Sequence, residues 1–77
     1  MQESEAFEHE LRAHYAAIVA ETLGRAQHCL RLARAARRAG NSAERRKWLW
    51  SVRVLWIAAA EWRKRAQRIA PVTVVNG

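Results

Sequence analysis

Seven residues, Trp48, Val52, Leu55, Ala59, Trp62, Ala66 and Ile69, follow one another at intervals of four, three, four, three, four and three. At about 100° per residue they fall on one narrow stripe, the seam of a helix lying at a shallow angle against another helix. No alternating pattern fits the same residues as well, and the run Ala58-Ala59-Ala60 favours helix. All four tryptophans of the chain lie between Trp48 and Trp62. An indole is large and costly to leave in water, so this stretch is a packing surface, a binding surface or both.

The apolar character does not stop at the seam. Leu49 and Trp56 lie about a quarter turn from it, while Trp50, Val54 and Ile57 lie on nearly the opposite side. A helix that is apolar on two sides is usually covered on two sides. Only one other long segment exists in the chain to cover it. The second face, with Trp50, Val54, Trp56, Ile57 and Leu49, is therefore expected to meet another molecule, with a second copy of the chain favoured. The plain alternative is scattered surface apolar residues, which are normal in soluble proteins. A membrane surface is a weaker alternative. The stretch 48–60 is too short to span a bilayer and carries Arg53, but a basic Trp-containing amphipathic helix can lie among lipid headgroups.

The rest of the chain supplies the partner helix. Ser4 is a fair N-cap, and Glu5 and Glu8 suit the positive end of a helix dipole. Phe7, Leu11, Tyr15, Ile18, Thr22, Cys29, Leu32 and Ala36 then trace one face, widened by Val19, Leu23, Ala26 and Leu30. Arg37 and Arg38 suit a helix C-terminus and Gly40 a C-cap. Asn41 caps the next helix, with Glu44 at the capping-box position, and Pro71 ends it. The expectation is a helix over about 4–39, a turn at 40–41, a helix over about 42–70 and an extended tail at 71–77. Gly24 is the weak point of the first helix, a site of close approach, a kink or a break.

So short a connection forces an antiparallel αα-hairpin, all-α, completed into a four-helix arrangement by homodimerisation. Residues whose numbers sum to about 81 then face each other. Trp48 meets Ala33, Leu55 meets Ala26, Ala59 meets Thr22 and Trp62 meets Val19. Large residues mostly meet small ones. A chain of 77 residues makes one small domain with a limited core, which fits a need for a partner.

Charge is distributed unevenly. Residues 1–24 hold five glutamates against Arg12, a balance of −4; residues 25–77 hold thirteen Arg and Lys against Glu44 and Glu61, a balance of +11; together they give +7. The acidic start of the first helix meets the basic end of the second, Arg63, Lys64, Arg65 and Arg68, which favours antiparallel pairing. The tip of the hairpin stays uncompensated. Arg31, Arg34, Arg37, Arg38, Arg45, Arg46 and Lys47 surround the turn with only Glu44 among them.

Catalytic patterns are missing. No paired carboxylates, activated nucleophile, phosphate loop or metal spacing emerges, and nothing implies a cofactor or a metal. His14, Glu21 and His28 line one edge of the first helix, but seven residues span about 10 Å, too far to share one ion. Pairs Glu10–His14 and Glu21–Arg25 at i,i+4 account for that edge. Cys29 reads as a small core residue, and a single cysteine with no secretory leader pattern fits the cytoplasm. A two-helix hairpin is also expected to offer little concavity for an enzyme.

Two binding functions remain. The first is a protein-binding module that docks on a larger protein with an acidic or apolar groove and modulates or inhibits it, using residues most enriched at interface centres. In size, in its Ala- and Arg-rich composition and in its lack of catalytic residues, the chain resembles small phage or mobile-element accessory proteins that act on host factors. The second is nucleic acid, with the arginine-rich tip on phosphates, giving affinity with little sequence selectivity.

Overall fold

A computed structural model describes the backbone of residues 2–69 and the side chains of residues 5–69. Helix α1 spans Gln2–Arg38 and helix α2 spans Ser42–Ile69, packed side by side as an antiparallel hairpin. Among the described residues there is helix and one turn, and nothing else. The tail expected at 71–77 lies outside the described residues.

The turn is built by its own backbone. Gly40 adopts φ 73°, the left-handed region that a residue with a Cβ enters at a cost. The Gly40 N–H donates to the Arg37 carbonyl at 3.1 Å and the Asn41 N–H to the Ala36 carbonyl at 2.9 Å, which together make a Schellman motif. Asn41 then caps α2, its Oδ1 accepting the Glu44 N–H at 3.1 Å. The expected capping box is thus half made. The Asn41 N–H is already spent on α1, so the Glu44 carboxylate turns instead to Lys47 at 3.8 Å.

Small residues on α1 let α2 come close. Val19, Ala26 and Ala33, seven apart, are buried with Cys29, and opposite them Val52 and Ala59 are buried. Trp48, Leu55 and Trp62 are half-buried along the same seam. Near the open end of the hairpin the rings of Tyr15 and Trp62 meet at 5.5 Å between centroids. Thr22 sits in the seam without an orphaned hydroxyl, because its Oγ1 donates to the Ile18 carbonyl at 2.7 Å.

Three expectations for α1 change. It begins at Gln2, so Ser4 lies inside the helix and does not cap it. It runs unbroken through Gly24, and a Cβ there would meet nothing within 4 Å, so Gly24 is neither a break nor a site of close approach. Phe7, placed on the seam by its spacing, is 63% exposed. The reason is length: α1 has 37 residues and α2 has 28, so the start of α1 overhangs the end of α2.

The molecule is a rod of 58 × 20 × 15 Å with a radius of gyration of 17.6 Å. A compact chain of this length would have about 11–12 Å. The seam is the one layer of core, and no large side chain in it is fully enclosed.

Candidate protein interface

Apart from Phe7 on α1, the exposed large apolar residues are carried by the outer side of α2. Trp50, Val54, Trp56 and Ile57 stand between 46% and 63% exposed, although the seam of the same helix is covered. Trp50, Val54 and Ile57, at spacings of four and three, share one strip that points away from the seam. Basic residues edge this strip, with exposed Arg46, Lys47, Arg53 and Lys64 along the same helix.

The five apolar residues do not form a single patch. Val54 and Trp56 are two positions apart, about 200° on a helix, so they face opposite sides of the rod. On one side, Trp50 and Val54 border an open groove of about 850 Å³ between the helices. Its floor includes Cys29 and Leu55, and its far wall comes from Glu21, Gly24, Arg25 and His28 on α1. On the other side, Leu49 is half-buried and borders a smaller depression of about 180 Å³ with Leu30, Ala33 and Arg34.

The groove corrects the expectation that a hairpin offers little concavity. An indole stands up on α2 while Gly24 on α1 has no side chain, so a valley remains between them. The α1 wall was missed from sequence because Glu21 and His28 read as a solvated edge. Their membership is visible as the spacing 21, 25, 28, one face of one helix. Across that wall Glu21 and Arg25 pair at 3.7 Å, both exposed.

The basic tip is as open as its composition implies. Arg31, Arg34, Arg37, Arg38, Arg45, Arg46 and Lys47 are all exposed around the turn. Among the described residues, Lys47 alone of these cations has a carboxylate within reach, that of Glu44, and its ammonium also lies 4.9 Å from the Trp48 ring centroid. The groups cluster by chain geometry, since Arg34, Arg37 and Arg38 end α1 just where Arg45 and Arg46 begin α2.

His14, Glu21 and His28 do not converge. Among the described residues no three His, Cys, Asp or Glu side chains gather closely enough to hold a metal ion. Cys29 is buried, and no described helix is long and apolar enough to cross a membrane. The expected Glu21–Arg25 pair is present. Against protein-family models, curated proteins and solved structures the chain finds no match, and what the site does is argued from its own geometry.

Proposed function

We propose that the chain is a non-enzymatic binding module, a basic helical hairpin that docks on a larger protein through the outer side of α2 and modulates it. The observation that carries this reading is the exposure of Trp50, Val54, Trp56 and Ile57 on a helix whose seam is already satisfied. Tryptophan anchors ringed by arginine are the composition of energetic centres in interfaces. The basic rim steers the module toward an acidic surface and accelerates encounter, while the indoles supply the retained affinity. A phage or mobile-element accessory protein acting on a host factor is the biological setting in which such a module fits.

The second reading is nucleic-acid binding, and the open tip favours it. Seven exposed cations against Glu44 give a local balance of +6 within one end of a narrow rod. Such a cluster would contact phosphates and make affinity fall steeply with salt.

Paired variants separate the two. Trp56→Ala with Ile57→Ala removes anchors and leaves the charge intact. Arg37→Glu with Arg38→Glu reverses charge at the tip and leaves the anchors. The docking reading expects a partner captured from the native host to be retained by the tip variant and weakened roughly 30-fold or more by the anchor variant, the effect of losing about 2 kcal/mol at a hot spot. The opposite pattern, with nucleic acid lost only in the tip variant, would replace it.

A further inference from the structure

We infer that the face of the hairpin centred on Leu49 binds an acidic protein segment, seating one aliphatic or phenyl side chain of that segment between arginines. The inference rests on the docking reading and names the chemistry of the partner on that side of α2.

Leu49 lines two adjoining hollows. The first, of about 180 Å³, lies between the helices, floored by Leu30, Ala33 and Leu49 and rimmed by Arg34, Arg37 and Arg45. The second, of about 370 Å³, crosses to the outer side of α2, where Arg46, Leu49, Trp50 and Arg53 surround it. Helix geometry makes this assembly. Positions 30, 33, 34 and 37 share one face of α1, and positions 45, 46, 49, 50 and 53 span neighbouring faces of α2.

Charge chooses the partner. Every charged residue lining the two hollows is an arginine, five in all. Among the described residues none of the five makes an ion pair; the ion pairs belong to Arg25, Lys47 and Lys64. Glu44, next to Arg45 in sequence, turns to Lys47. A guanidinium holds a carboxylate through two parallel N–H donors, so clustered arginines select Asp and Glu. The larger groove has no such preference, since Glu21 and Arg25 on its wall pair with each other at 3.7 Å.

The floor then selects protein over nucleic acid. A cavity of about 150 Å³ lined by aliphatic and phenyl side chains takes benzene, so the first hollow has room for one leucine or phenylalanine side chain. A nucleobase carries polar edges that Leu30, Ala33 and Leu49 leave without partners, and only Trp50, in the second hollow, offers a ring to stack on. Trp56 lies seven residues beyond Leu49, about 10 Å along the same stripe of α2. A segment anchored at Leu49 therefore continues toward an exposed indole.

The test uses the full chain and a short fluorescein-labelled peptide of Asp and Glu around one central leucine, read by anisotropy at about 150 mM salt. Wild type should bind it in the micromolar range, and the same peptide with serine for leucine about tenfold more weakly. Arg37→Gln with Arg45→Gln should weaken the leucine peptide about tenfold or more. Arg63→Gln with Arg68→Gln removes the same net charge more than a Debye length away and should change binding less than about twofold. All four arginines are exposed, and circular dichroism checks that both variants keep their helices. Equal affinity for the leucine and serine peptides, equal losses in the two arginine variants, or no binding of the leucine peptide would each overturn the inference. So would a single-stranded oligonucleotide of equal charge that binds wild type more tightly at the same salt. If the inference falls while a captured partner still depends on Trp56 and Ile57, the docking reading stands; loss of that dependence is what ends the docking reading.

Discussion

Tyr15 and Trp62 stack across the hairpin with their ring centroids 5.5 Å apart and their planes tilted by 32°. One residue belongs to the long α1 and the other to the last third of α2, so the contact fixes the register far from the turn. Arg65 adds its guanidinium at 4.6 Å from the Trp62 ring, covering the outward part of a half-buried indole. Together with the Gly40–Asn41 turn, this pair fastens both ends of the seam.

Removing the ring at position 15 should therefore loosen the open end. Tyr15→Ala is expected to lose roughly 2 kcal/mol of stability, combining the aromatic pair with partial loss of burial. Tyr15→Phe should lose far less. Urea unfolding followed by circular dichroism compares the two, and equal losses would mean that the hydroxyl, not the ring contact, matters.

The turn makes a prediction of its own. Gly40→Ala forces a Cβ into φ 73° and should cost about 1–2 kcal/mol. Asn41→Ala deletes the cap at Glu44 and should cost about 1 kcal/mol. If either variant unfolds at the wild-type denaturant midpoint, the turn is not fixed by these contacts.

Gly24 behaves in the opposite sense. It sits inside an unbroken helix with open space where a Cβ would go. Gly24→Ala should raise stability by about 0.4–1 kcal/mol by restricting the unfolded chain. A loss of stability would show that the backbone there approaches something else, such as a partner.

How much of this was legible in the sequence follows from where the physics is local. The 4-3 spacing from Trp48 to Ile69 and the Gly40–Asn41 boundary are local or periodic signals, and the hairpin shows them directly. The facing pairs were less legible: Trp62, expected opposite Val19, stacks on Tyr15, one turn earlier in α1. Phe7 carried the same periodic signal but is exposed, because periodicity reports a face and says nothing of where the opposing helix ends. Gly24 was ambiguous because a helical glycine signals permission, and only the surrounding space shows whether it is used. The angular offset of Leu49 and Trp56 from Trp50 and Val54 is legible on the wheel, but that Trp50 and Val54 border a groove with α1 needed the position of α1. The Glu21, Arg25 and His28 wall was hidden for the same reason.

Core packing gives a sharper check on the seam. Ala26 and Ala33 are 1% and 2% exposed, buried where α1 packs against α2. Ala26→Leu should cost about 1–3 kcal/mol through overpacking, measured as a fall in the denaturant midpoint. A neutral result would place slack in the seam where close approach is described.

The central claim is that apolar docking by α2, and not phosphate contact by the tip, is what the chain uses to bind. Fluorescence anisotropy with random-sequence DNA and RNA, titrated in salt, tests it most directly. The docking account predicts binding at low salt that disappears by about 150 mM, leaving the tip as a steering patch. Micromolar or tighter binding at that salt, with a steep salt slope abolished by Arg37→Glu and Arg38→Glu, would contradict it.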